Sequence, residues 1–112
     1  MKNIILLAVA GVLSSGAAYA DGKLNIYNWS DYIAEDTIAN FKAETGIDVT
    51  YDVYDSNEIL EAKMSAGSSG YDLVVPTADF LARGRQAGVY AEMDFSRIPN
   101  AKNQSAQVQA LA

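Results

Sequence analysis

The stretch Ile47-Asp48-Val49-Thr50-Tyr51-Asp52-Val53 alternates apolar with polar side chains and is rich in β-branched residues, so it predicts a strand. Helical patterns flank it on both sides. Upstream, Ala34, Ile38, Phe41 and Thr45 recur at helical spacing, which predicts a helix over Glu35 to Glu44. Glu35 and Asp36 suit the positive end of that helix, and Gly46 is its expected stop. Downstream, Asp55 and Glu58 have capping-box spacing and open a helix through Leu60 and Met64 that ends at Gly67. Beyond these helices lie two more strand patterns. Lys23 to Asn28 places Leu24 and Ile26 on one face, and Tyr71-Asp72-Leu73-Val74-Val75 has the continuous apolar end of a strand buried on both faces.

Strand, helix, strand, helix, strand is a βαβαβ order, which predicts an α/β fold with a parallel sheet and right-handed crossovers. The pattern continues with a short helix over Phe80 to Gln86, weakened by Gly84 and ended at Gly88, and a short strand over Val89 to Met93. From Ser96 onward periodicity fades. Residues 101–112 are mostly Ala, Gln, Asn and Ser and predict little structure.

The remaining 20 residues of the 112 stand apart. Lys2 is their one charge, a small or apolar run of about ten residues follows from Ile4 to Leu13, and Ala18-Tyr19-Ala20 precedes Asp21. That order reads as a secretory signal peptide over residues 1–20. The run is too short to cross a hydrocarbon core of roughly 30 Å as a helix. An exported chain starting at Asp21 keeps 92 residues, enough for one modest domain.

Composition then removes function classes. With Lys2 gone, 7 basic residues face 14 acidic ones, a formal charge of −7. Such a surface repels nucleic acid and favours cationic partners. The chain has no His and no Cys. It therefore contains no Ser-His-Asp or Cys-His nucleophile system, no thiolate or imidazole zinc site and no disulfide. No phosphate loop or GxGxxG motif is present, and no cofactor is expected.

In a parallel sheet the loops that leave the strands share one edge, where open α/β sheets bind ligands. Here those loops are Trp29-Ser30-Asp31-Tyr32, Tyr54-Asp55-Ser56-Asn57 and Pro76-Thr77-Ala78-Asp79, with aromatics, carboxylates and hydroxyls but no Lys or Arg. Such an edge suits a cation. Trp29 to Tyr32 would offer a carboxylate and aromatic faces to an ammonium group, each cation–π contact being worth about 0.5 to 2 kcal/mol. Equally, Ser30 or Asp31 would cap the first helix while Trp29 and Tyr32 fill core. Thr77 and Asp79 would contact a ligand or cap the third helix, the two roles being compatible for Thr77. A third use of Asp31 and Asp79, as acid and base of a small exported hydrolase, also fits their chemistry.

Several motifs in register carry a family resemblance. Leu24 to Tyr32, Phe41-Lys42-Ala43-Glu44-Thr45-Gly46-Ile47, Tyr54-Asp55-Ser56-Asn57-Glu58 and Tyr71 to Pro76 are followed by Ala87-Gly88-Val89-Tyr90 and the segment from Asp94 to Pro99. From Leu24 to about Asn100 the chain resembles the periplasmic polyamine-binding proteins, the spermidine/putrescine receptors of ABC importers. The resemblance implies a type II periplasmic binding fold, of which residues 21–100 are the N-terminal part of the first α/β lobe. It also implies a monomer that holds putrescine or spermidine between two lobes and delivers it to an inner-membrane ABC permease, without catalysis. By position, Trp29 and Tyr32 would line the methylene chain, Ser30 would add a polar contact and Asp31 would pair with a terminal ammonium. Thr77 stands where the family usually has Ser and keeps the hydroxyl, while Asp79 falls where the family varies. Family members run about three times this length, so the chain reads as the N-terminal part of such a receptor. A receptor for another small cation or a sugar is the alternative within solute binding.

Overall fold

Strand β1 (Lys23–Trp29) lies at the centre of a three-stranded parallel sheet, between β2 (Asp48–Tyr54) and β3 (Leu73–Val74). The computed structural model describes residues 22–110, so the signal-peptide assignment of residues 1–20 lies outside the described residues. Lys23 pairs with Asp48 and the register continues without a break to Trp29 opposite Tyr54. On the other side Ile26 and Tyr27 pair with Leu73 and Val74. Helix α1 (Thr37–Thr45) crosses from β1 to β2, and α2 (Asn57–Ser65) crosses from β2 to β3. Helix α3 (Ala78–Gln86) follows β3. The βαβαβ order and the parallel sheet are those the sequence predicts.

This register divides the sheet into two unlike faces. Tyr27, Trp29, Asp52, Tyr54 and Val74 share one face, and the core lies there. Leu60 of α2 is 1% exposed, Tyr54 3% and Tyr27 9%, with Trp29, Met64, Tyr71 and Val74 packed against them. Much of this core is aromatic. Tyr27 meets Tyr54 edge-on at 4.7 Å and stacks on Tyr71 at 4.5 Å. The Tyr71 hydroxyl reaches across to donate to Asp52 at 2.7 Å. Burial of this cluster is the main apolar stabilisation available to so small a domain. On the opposite face lie Leu24, Ile26 and Asn28, the Asn28 amide donates to the Tyr51 hydroxyl at 3.0 Å, and α1 packs against β2.

Where local structure departs from the sequence reading, side chains account for most of it. The third strand is two residues long, not five, because both its ends are taken. At its start Asp72 uses its own carboxylate to accept the Asn25 N–H at 2.8 Å, in place of a backbone carbonyl. At its finish the Val75 carbonyl is occupied by side chains of β1 and β2. Nor is β3 buried on both faces. Leu73 is 46% exposed, since β3 is an edge strand and α1 packs on β2 at the far side of the sheet.

Helix α2 is capped by Ser56, whose hydroxyl accepts the Ile59 N–H at 3.3 Å, so Asp55 and Glu58 do not form the expected box. Helix α1 stops as expected at Gly46, which adopts φ 74° and donates its N–H to Lys42 O. Val89 to Met93 is irregular instead of a strand, with Tyr90 turned back under α3. The region after Ser96 is more ordered than its composition suggests. A 3₁₀ turn runs over Pro99–Asn103, and one helical turn, α4 (Ala106–Gln109), is capped by Ser105.

Candidate ligand site at the strand ends

The carboxyl ends of all three strands meet at one atom, the carbonyl oxygen of Val75. The Trp29 indole N–H donates to it at 2.7 Å, and the Tyr54 hydroxyl donates to the same oxygen. Their rings pack against each other at 4.8 Å, which follows from the pairing of Trp29 with Tyr54 at the ends of β1 and β2. The Ser30 N–H donates to the Tyr54 carbonyl at 3.2 Å and ties the next loop residue to the same point. On the far side the Asn57 side chain accepts the Thr77 N–H at 3.1 Å, linking the loop after β2 to the loop after β3. Three loops distant in sequence are thereby joined into one edge.

Each residue singled out in the sequence sits on this edge, though not always in the expected role. Trp29 is half-buried, and its core-packing role is the one seen directly. It packs on the core through Tyr54 and holds Tyr32 at 5.9 Å between ring centres. Tyr32 is 65% exposed, so it fills no core. Neither Ser30 nor Asp31 caps α1, which starts at Thr37 after Asp36. Both are exposed, and Asp31 holds φ 60°, a left-handed conformation that Asp tolerates better than most residues.

Thr77 precedes α3 but makes no capping bond to its backbone. Its hydroxyl donates instead to the Asp79 carboxylate at 2.6 Å. That bond holds the Asp79 carboxyl below its ordinary range, helped by the N–H groups of Asp79 and Phe80 at the start of α3 and by the charge of Arg83, against some desolvation. Asp79 is therefore an anion committed to its own helix end. Among the described residues the Asp31 carboxylate has no hydrogen-bond or ion-pair partner.

The sequence reading placed Tyr54 and Asn57 in the loop on this edge but gave Tyr54 no role of its own and took Asn57 as part of a helix start. A signal was present for Tyr54. It breaks the alternation of Val49, Tyr51 and Val53 by placing an aromatic in phase with the polar Thr50 and Asp52. Burial pushes its phenol up to about 12, so at neutral pH the hydroxyl remains a donor. The largest cavity described, about 520 Å³, lies elsewhere, between the end of α2, the start of β3 and Tyr90. No group of three or more acidic side chains among the described residues is placed to hold a metal ion. No helix among them is long and apolar enough to cross a membrane.

No family model matches the chain. Individual proteins do. It is 57% identical over 103 residues to the putrescine-binding periplasmic protein SpuD of Pseudomonas aeruginosa, covering 91% of this chain and 28% of that protein. It is 60% identical over 99 residues to the putrescine-binding periplasmic protein PotF of Escherichia coli, covering 85% of this chain and 27% of the relative. Among solved structures, the TpPotD lipoprotein of Treponema pallidum superposes with a TM-score of 0.75 at 40% identity, covering 80% of this chain and 28% of that one. Over most of its own length the chain is thus similar to periplasmic putrescine-binding and spermidine/putrescine-binding proteins, and it spans a little over a quarter of their length.

Proposed function

We propose that the chain supplies a polyamine-binding edge of an exported solute receptor, which delivers putrescine or spermidine to an inner-membrane ABC permease. The observation that carries this reading is the convergence at Val75, which gathers the loops after the strands at one edge: the Trp29 and Tyr32 rings lie 5.9 Å apart there, in a loop that also carries the exposed Asp31, and these loops have no Lys or Arg. An ammonium group asks for a carboxylate and for aromatic faces that tolerate methylenes, and this edge offers both. Trp29 and Tyr32 take the methylene chain, Asp31 takes a terminal ammonium, and Ser30 and Thr77 offer hydroxyls. Asp79, already engaged by Thr77, tunes the site at its margin. No catalysis is assigned.

Trp29 is the only Trp of the chain, so its emission reports on this edge alone. One carboxylate and two aromatic faces amount to a few kcal/mol, which corresponds to a dissociation constant of about 1 mM for this chain. Putrescine and spermidine should each change Trp29 emission saturably in that range. Asp31→Asn should remove most of the response, and Asp79→Asn should remove less. No saturable change with either polyamine, or an equal response to a neutral sugar, would overturn the assignment.

A further inference from the structure

We propose that Tyr54 is the positioning residue of this edge: its hydroxyl, sharing the Val75 carbonyl with the Trp29 indole N–H, fixes the ring face that Trp29 presents to a ligand. The ligand itself rests on the polyamine reading, but the positioning does not. A carbonyl oxygen has two lone pairs, and here both are used by side chains from the two neighbouring strands. Val75 is thereby withdrawn from the sheet ladder, and the end of β3 is tied to β1 and β2 at once. Tyr54 reinforces this on a second side, through its backbone carbonyl, which accepts the Ser30 N–H at 3.2 Å. A ring 3% exposed, packed at 4.8 Å on Trp29 and bonded at both its hydroxyl and its carbonyl, leaves the indole little freedom to tilt.

A purely structural tyrosine would need only its ring. Tyr54→Phe keeps that ring and removes the hydroxyl, so it separates the two roles. Tyr27→Phe is the control, since it takes a hydroxyl from the same aromatic cluster but not from Val75. Positioning predicts that Tyr54→Phe shifts Trp29 emission and raises its quenching by acrylamide, while Tyr27→Phe does neither. It also predicts a two- to tenfold weaker response to putrescine, the range that one neutral hydrogen bond supplies. In the unmutated chain, the single indole N–H resonance should exchange slowly with solvent, a measurement that needs no variant to fold.

Unchanged emission and quenching in Tyr54→Phe, or a freely exchanging indole N–H, would overturn the positioning role. Altered emission with unchanged putrescine affinity would overturn the claim that this position sets affinity. If the unmutated chain ignores every polyamine, the functional reading fails. The emission and exchange measurements then still decide the role of Tyr54.

Discussion

Replacing Gly84 with Ala should change sign according to whether Tyr90 is present. Gly84 lies inside α3, where a glycine is unfavourable by about 1 kcal/mol relative to Ala. Its presence is explained by Tyr90. A Cβ built at Gly84 would stand 2.2 Å from Tyr90 Cε2 and 2.8 Å from Cδ2, far inside contact distance. Tyr90 lines a small cavity of about 40 Å³ between α2 and α3 together with Leu60, Met64 and Phe80, and burial raises its phenol above the ordinary value. Gly84→Ala must therefore push that ring outward, at an overpacking cost of about 1 to 3 kcal/mol. Set against the helix gain of about 1 kcal/mol, the substitution should be neutral to about 2 kcal/mol destabilising. In a Tyr90→Ala background the obstacle is gone and the same substitution should stabilise by about 1 kcal/mol. Thermal unfolding followed by circular dichroism, on all four proteins, measures the coupling, with roughly 4 to 8 °C expected per kcal/mol in a domain this small. An equal shift from Gly84→Ala in both backgrounds would refute the reasoning.

Two further outcomes follow from the hydrogen bonds. Tyr54 and Tyr71 are both pushed up to about 12, Tyr54 by burial and Tyr71 chiefly by its bond to Asp52. A phenol whose value is raised on folding stabilises the fold in its neutral form. That contribution is complete below pH 10 and is lost as pH rises through 12. The melting temperature should therefore hold up to about pH 10 and then fall, with a late tyrosinate absorbance step that shrinks in Tyr71→Phe. Ionisation of every tyrosine near 10 with the fold intact would contradict this. At α2, Ser56→Ala should cost about 0.5 to 2 kcal/mol, while Asp55→Ala stays within about 0.5 kcal/mol. The reverse ranking in urea titrations would restore the capping box.

What could be read from the sequence was whatever repeats. Alternation over Ile47 to Val53 and helical spacing over Ala34 to Thr45 are local patterns, and they were enough for the order of elements, the parallel sheet and the shared edge of the three loops. What escaped depends on bonds between residues far apart in the chain. Nothing local to Tyr71–Val75 says that Asp72 will cap the ladder at Asn25, or that Val75 will be claimed by residues 46 and 21 positions away. The missing strand at Val89 to Met93 has the same origin. Its apolar residues alternate well enough, but Tyr90 is drawn under α3 by the gap that Gly84 leaves, so the segment never reaches the sheet edge.

On the polyamine reading proposed above, packing at Trp29 is compatible with ligand contact, and the bonds made there limit what such an edge would bind. The indole N–H is spent on Val75, so the ring has no donor left and offers a ligand only its face. Thr77 has likewise given its proton to Asp79. Among the side chains in question, Ser30 and Tyr32 retain hydroxyl donors, against the acceptors of Asp31 and the π faces of Trp29 and Tyr32. An anion would find few donors here and a full negative charge opposing it. A neutral sugar would meet aromatic faces but would leave the Asp31 charge uncompensated. A flexible chain with ammonium ends satisfies both the carboxylate and the faces, and it asks for nothing the edge has already committed. On that proposal the internal hydrogen bonds narrow the ligand as much as the exposed groups do: they remove donors from a surface whose free groups are mostly acceptors and rings.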